Sequence, residues 1–371
     1  MRAPQYWFKT ILSVLLSLTL SLSLCATTWA VPTSAGLVAA LPGGNPVKDP
    51  EVLLRLALPI DNQPIRDIQA DLEDISNQLR GKQWGKIKGD ISKASKTINS
   101  RRDQILASVP QDSQAKAKSL IEEIQASLPR LKEAADAEDV EKVNQARSEL
   151  LKQVGELEAS MIEEFPFEVP AEYSHLPQLK GRATVVMETD KGKITLVADG
   201  YSAPVTAGNF VDLVQRGFYD GLEFTRVEDF YVVQAGDPPG PEDGFVDPAT
   251  GKYRTIPLEI LVKGDDKPTY GTTLEAAGRY LDKPVLPFSA YGAVAMARPD
   301  DDPNGASSQF FFFPFEADLT PAGLNLLDGR YAVFGYVIDG QEVLGKLKLG
   351  DKIKSAKVVQ GAENLVQPQA A

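Results

Sequence analysis

Few residues in this chain could do chemistry by themselves. It holds one cysteine, Cys25, and one histidine, His175. That excludes an intrachain disulfide, a Cys/His zinc site and a cysteine nucleophile paired with histidine in the mature chain. A Ser-His-Asp triad would have to use His175, which stands in the proline-flanked run Ser174-His175-Leu176-Pro177 and reads as a solvated linker residue. Asp300-Asp301-Asp302-Pro303-Asn304-Gly305 matches the opening of a calcium loop. Its twelfth position should be a bidentate Glu and is Phe311. A proline inside the loop and a strand after it complete the case for an acidic surface loop. The chain shows no P-loop and no strand-linked GxGxxG. No acidic pair stands out as an acid/base couple, so metal, cofactor and hydrolytic chemistry are not expected.

The 371 residues allow two or three domains. A net charge of −12 excludes broad nucleic-acid binding, which needs a basic surface. Residues 1–30 read as a secretory signal: Arg2 and Lys9, an apolar run from Ile11 to Cys25, and the small-residue site Thr28-Trp29-Ala30. The run is too short to span a membrane. Leu24 before Cys25 speaks against lipidation. The protein is therefore expected to be exported.

Residues 31–49 form an extended leader. Residues 50–164 carry apolar stripes at helical spacing: Ile65, Ile68, Leu72, Ile75, Leu79; then Trp84, Ile87, Ile91, Ala94, Ile98; then Leu120, Ile121, Ile124, Leu128, Leu131; then Val140, Val143, Leu150, Val154, Leu157, Met161. Short connections predict an antiparallel bundle. Pro50 with Asp49 before it predicts a further short helix, and Pro129 a kink. Between 80 and 102, Lys82, Lys86, Lys88, Lys93, Lys96 and Arg101 face one acid, Asp90. That basic helix either lies beside the acidic one at 138–164 or offers a face to an anionic partner or membrane surface.

Residues 165–179 are a proline-containing linker. Beyond them the period becomes two. Strands are predicted at 183–189, 194–197, 224–234, 293–298, 309–313, 331–337 and 354–359, with a helix opening after Pro204. Many short strands and few helices suggest a closed barrel.

Four motifs follow one another in this half. The first is the Asp190-Lys191-Gly192-Lys193 turn with Pro204-Val205-Thr206-Ala207-Gly208-Asn209-Phe210. The second is Phe224-Thr225-Arg226 with Gln234-Ala235-Gly236-Asp237. The third is Ala295-Met296-Ala297 with Ser308-Gln309-Phe310-Phe311, and the fourth is Leu327-Asp328-Gly329-Arg330-Tyr331 running on to Gly335. In this order they resemble the cyclophilin family, over residues 180–361, with a tail at 362–371. The resemblance implies a closed eight-stranded β-barrel capped by two helices, and prolyl cis/trans isomerisation without a cofactor. It implies that Arg226 and Gln234 are catalytic, Arg226 as the guanidinium that cannot lose its proton. It implies a substrate groove of Tyr231, Val232, Phe311 and Leu327 around the proline, with Gln309, Ala297, Arg298 and Tyr331 beside it.

The chain departs from active members at several places. Thr225 replaces a histidine beside the arginine, Tyr231 and Val232 replace Phe and Met, Leu326 replaces a rim tryptophan, and Tyr331 replaces a second histidine. These changes point to weak activity and poor cyclosporin binding. The residues 238–287 are an insert relative to a minimal member. An exported cyclophilin behind a helical bundle is similar to the thylakoid-lumen cyclophilins. That narrower resemblance implies a lumenal (or else periplasmic) protein supporting photosystem II assembly, partners that include photosystem II subunits, and contact between bundle and barrel. Two functions follow: an isomerase acting on proline-containing proteins or peptides, or a non-catalytic assembly chaperone whose bundle docks a partner or inhibits the groove.

Overall fold

The computed structural model describes residues 47–315 and 325–368. The signal at 1–30, the leader up to residue 46 and the last tail residues, 369–371, lie outside the described residues. The described residues form one compact unit.

Helix α1 (Pro50–Leu56) starts where the sequence says it should. Pro50 occupies the first turn, and Asp49 accepts from the backbone N–H groups of Glu51 and Val52 at 2.9 and 3.3 Å. α2 (Gln63–Arg80) is capped by Asn62, whose side chain accepts from the Ile65 N–H at 3.1 Å. α3 (Trp84–Ser100), the short α4 (Arg102–Ala107), α5 (Gln114–Asp136) and α6 (Val140–Ala159) follow. α2, α3, α5 and α6 pack in a ring, with α2 closing on α6. Their apolar stripes meet in one core, where Ile65, Ile68, Leu72, Ile87, Ile124 and Val154 are fully buried. Pro129 sits inside a continuous α5. Val140, expected on the buried stripe, is exposed at the first position of α6, ahead of the contact surface.

In the second half, β2 (Arg182–Thr189) and β3 (Lys193–Asp199) form the hairpin around Asp190–Gly192. The remaining strands are β4 (Phe224–Glu228), β5 (Val232–Ala235), β8 (Ala293–Met296), β9 (Phe310–Phe313), β10 (Val333–Asp339) and β11 (Ile353–Gln360), joined in the order β11-β2-β3-β10-β8-β9-β5-β4. Short pairs β1/β12 (Gln178–Leu179, Leu365–Val366) and β6/β7 (Glu259–Ile260, Thr269–Tyr270) stand apart.

Two expectations are corrected. The barrel is not closed: β11 and β4 are the sheet's two edges and meet only at the isolated bridge Glu223↔Lys352 and the bonds flanking it. The cause is local. Lys348–Asp351, opposite β4, is a turn closed by the Lys348 N–H to the Asp351 carboxylate at 2.7 Å, so no strand is there to complete the ladder. The expected strand 224–234 is a hairpin, β4 turning into β5 through Phe230 at φ 60°. Of the two expected capping helices, α7 (Pro204–Gln215) is full length and α8 (Gln341–Leu344) is a single turn.

α7 is buried along its length against one sheet face, with Phe210 touching Tyr219, Phe310 and Phe334. It packs directly on backbone: a side chain at Gly208 would place its Cβ 2.5 Å from the Pro177 carbonyl. On β9 the four phenylalanines alternate. Phe310 and Phe312 join this core, while Phe311 and Phe313 join a second cluster on the other face.

That second face also receives α1. Leu53, Leu54 and Ala57 share its cluster with Val232, Phe288 and Phe311, and α1 touches β10. Arg182 donates to the Leu54 carbonyl, and Ser289 to the Val47 carbonyl at 2.6 Å. On its other side α1 ties to α2 through Arg55 to Glu73 at 2.9 Å and Arg66 to the Arg55 carbonyl at 2.9 Å. An open cleft of about 970 Å³ lies beside α1, between α6 and the sheet surface at β2 and β3.

Candidate active site

Antiparallel pairing places Arg226 of β4 opposite Gln234 of β5, and Gln234 opposite Phe311 of β9. Three adjacent strands thus bring together residues 85 positions apart. The Gln234 side-chain amide donates to the Gln309 side-chain oxygen Oε1 at 2.7 Å. Gln309 donates in turn to the backbone carbonyl of Asp243 at 2.8 Å, tying the start of the insert to the site.

The apolar part is built on the same strands. Val232 and Phe311 are buried. The Phe311 ring stacks at 6.0 Å on Phe288 and meets Tyr331 edge-on at 5.6 Å. Leu327 is partly buried against this cluster. Tyr231 is half exposed and packs edge-on against Phe313 at 5.6 Å. The Tyr331 hydroxyl donates to Asp300 at 3.1 Å; burial, then that carboxylate, push its pKa up.

The Arg298 side chain is engaged within the chain, which leaves the backbone contacts expected of Ala297 and Arg298 as their part in the groove. It donates to the Arg330 carbonyl at 2.9 Å and to the Pro299 carbonyl at 2.7 Å, and lies over the Tyr331 ring at 5.1 Å. It buttresses the loop that carries Tyr331. The Ala297 N–H is held by the Gln309 carbonyl at 2.9 Å. Arg226 lies exposed at the edge, both its Nε and Nη2 at 2.7 Å from Glu228 Oε1.

Three contributors were not found by sequence reasoning. Glu228 holds the arginine; the i,i+2 spacing on a strand, which puts both on one face, could have shown it. Phe313 follows from the same alternation after Phe311. Phe288, at the end of the insert, carries no local signal. Phe230, in the β4–β5 turn, and Leu326, next to Leu327, are exposed, at 73% and 85%.

Nothing in this arrangement is a nucleophile or a proton shuttle. Among the described residues no group of three His, Cys, Asp or Glu could hold a metal ion. Asp300–Gly305 folds on itself as a tight turn, with Asp302 accepting from the Asn304 N–H at 2.8 Å. What the site offers is an apolar cluster, a polar glutamine pair and a guanidinium on neighbouring strands.

A curled eight-stranded sheet with this groove on its outer face defines the class of the cyclophilin-type peptidyl-prolyl isomerases. A family model for the cyclophilin-type peptidyl-prolyl cis-trans isomerases matches residues 184–363, and a model for the PsbQ-like domain of CYP38-like isomerases matches residues 49–162. A Synechocystis protein named as a thylakoid lumen peptidyl-prolyl cis-trans isomerase is 57% identical, over 96% of this chain and 94% of its own. The chloroplastic isomerases CYP38 and CYP37 of Arabidopsis thaliana are 44% and 35% identical, over 96% and 86% of this chain and 86% and 71% of theirs. The chain belongs to the cyclophilin-type peptidyl-prolyl cis-trans isomerases.

Proposed function

We propose that this isomerase acts on proline-containing segments of proteins in the thylakoid lumen, in support of photosystem II assembly, and that it does so weakly. The lumenal setting is supported by the names of the relatives and by the signal-like N-terminus. The photosystem role rests on the resemblance to the lumenal cyclophilins.

One observation carries the mechanism: the apolar cluster that holds Val232, Phe311, Leu327 and Tyr331 is built on the strands that carry the Gln234–Gln309 pair and Arg226. X–Pro bonds exchange in tens to hundreds of seconds because rotation breaks amide resonance, a barrier of about 18–20 kcal/mol for an ordinary amide. The proline ring sits against this cluster. The glutamine pair holds the preceding carbonyl while the bond turns. As the nitrogen loses its share in the amide, its lone pair becomes an acceptor, and the Arg226 guanidinium donates to it. Arg226 first leaves Glu228, which costs little because an exposed ion pair is worth about 0–1 kcal/mol.

The second reading is a non-catalytic chaperone using the same groove. Thr225, Tyr231 and Leu326 favour it, as does the engagement of Arg226 by Glu228. A prolyl-peptide isomerisation assay on the full chain decides between them. Turnover that Arg226→Ala abolishes supports the enzyme. Binding of a proline-containing peptide with no turnover supports the chaperone. Turnover that survives Arg226→Ala removes the proposed role of the arginine.

A further inference from the structure

Helix α3 is assembled against the local rules of helix stability, and every violation lies on or beside its outer face. Its N-cap residue, Gln83, makes no side-chain capping bond, and its first turn holds no acid. Lys82 and Lys86 instead put positive charge where the helix dipole is already positive. Gly85 and Gly89 stand inside the helix one turn apart, and a Cβ at either would meet nothing within 4 Å. Glycine weakens a helix interior, and here no neighbour in this chain requires it. At 100° per residue Gly85, Gly89, Ser92, Lys96 and Ser100 share the solvent side with Lys86 and Lys93. The helix's one acid, Asp90, is buried; it pairs with Lys93 at 2.6 Å and acts on Lys86 only at longer range. At the flanks Lys88 pairs with Asp136 at 3.2 Å and Arg102 with Glu122 at 3.0 Å. Lys82, Lys86 and Lys96 make no ion pair among the described residues.

Intramolecular pairing therefore neutralises the edges of this face and leaves its middle cationic and without side chains at two positions. No large apolar residue is exposed on it, so it is not built to enter a lipid bilayer. Missing side chains at successive turns let a second backbone approach closely. We propose that the outer face of α3, through Lys82, Lys86, Lys96, Gly85 and Gly89, docks an acidic helix of a partner protein. The partner's carboxylates supply the negative charge the N-terminal turn lacks, and its backbone lies over the glycines.

Trp84 opens this helix, half buried beside the proposed contact. In the full chain carrying Trp7→Phe and Trp29→Phe it is the sole tryptophan. The probe is a helical Ala/Glu peptide of about 20 residues with Glu along one side, long enough to cover α3 at 1.5 Å per residue. The same peptide with Gln for Glu, and phosphatidylglycerol vesicles, are the comparisons. The expected result is a saturable change in Trp84 emission with the Glu peptide alone, weakened at least about tenfold between roughly 50 and 200 mM NaCl. Lys86→Glu with Lys96→Glu should abolish it. Gly85→Gln with Gly89→Gln should raise the unfolding midpoint yet weaken binding at least about fivefold, a pairing of effects that a merely structural helix would not give. No response to the Glu peptide overturns the proposal. So does equal binding of the Gln peptide, or a response to vesicles alone, which assigns the face to lipid. Undiminished binding by the double Gln variant overturns the close approach.

Discussion

Arg226 and Glu228 lie two residues apart on one face of β4, and both Nε and Nη2 of the arginine reach the same carboxylate oxygen at 2.7 Å. The group assigned to the twisted amide is thus held by a neighbour in the resting protein. Both side chains are about half exposed, so the pair is a weak restraint rather than a lock.

The first prediction follows from that pair. Arg226→Ala should lower kcat/KM for a prolyl peptide by about 10²-fold, the scale for losing one transition-state donor. Arg226→Lys should recover only part of it, since an ammonium lacks the planar fork. Glu228→Gln should raise kcat/KM by about two- to fivefold, because releasing an exposed pair returns under 1 kcal/mol. A protease-free isomerisation assay reads all three, and a drop in Glu228→Gln would show that the carboxylate helps catalysis.

Leu326 is 85% exposed, at the position where the cyclophilin resemblance implies a rim tryptophan in active members. Leu326→Trp should fold like the parent, since nothing packs over it. A rim aromatic covering a ligand is worth about 2 kcal/mol or more, so cyclosporin should bind at least about tenfold more tightly. Calorimetric titration of both proteins checks this; equal affinities would place the deficit elsewhere in the groove, at Tyr231 or Val232.

Gly208 shows how α7 is seated. A Cβ there would lie 2.5 Å from the Pro177 carbonyl and 2.6 Å from Gln178 Cα, both backbone atoms that cannot swing away. Gly208→Ala should therefore destabilise the protein by about 1–3 kcal/mol despite alanine's better helix propensity. Gly85→Ala, in open space, should stabilise it. Urea unfolding of the two variants should move in opposite directions.

Helix periodicity and caps were legible because both are local. Asp49 and Pro50 start α1 as their spacing says, and the stripe from Ile65 to Leu79 is the buried face of α2. The groove's motifs were legible as ordered short runs. What was not legible depends on partners distant in the chain. Phe310 to Phe313 show no alternation of residue type, because both faces of β9 are buried. Phe230 turns the chain at positive φ without a glycine to announce it. The open edge at β4 depends on a turn at Lys348–Asp351, more than 120 residues downstream. Glu259 in the insert caps α7 from afar, accepting from the Val205 and Thr206 N–H groups at 3.3 and 2.9 Å, and no spacing rule joins them.

Glu158 links the helices to the pH response of the fold. It is fully buried on α6, with Arg66 Nη1 at 3.3 Å from Oε1 and no partner at Oε2. Burial pushes its pKa up to about 7, against the opposing pull of Arg66 and Arg55 and with help from Glu73. From about pH 4.5 to about 7 the unfolded chain has released this proton while the folded chain keeps it. The native state then holds more protons, so its stability is fully present below the unfolded value and is lost as pH rises through the folded one. A rise from 4.5 to about 7 corresponds to on the order of 3 kcal/mol. Glu259, also buried and pushed up to about 7, adds in the same direction. Asp90 and Asp212, held below the usual carboxylate range, stabilise above their ordinary values and lose effect only in stronger acid, outside this window. Urea unfolding of the wild type should therefore show a higher midpoint near pH 5 than near pH 7.5. Asp328, pushed up to about 6 by burial, adds a smaller share in the same direction, so Glu158→Gln should remove somewhat under half of that difference, because an amide cannot ionise. If the variant keeps the whole slope, Glu158 is ionised in the folded protein at both pH values and its pairing with Arg66 outweighs its burial.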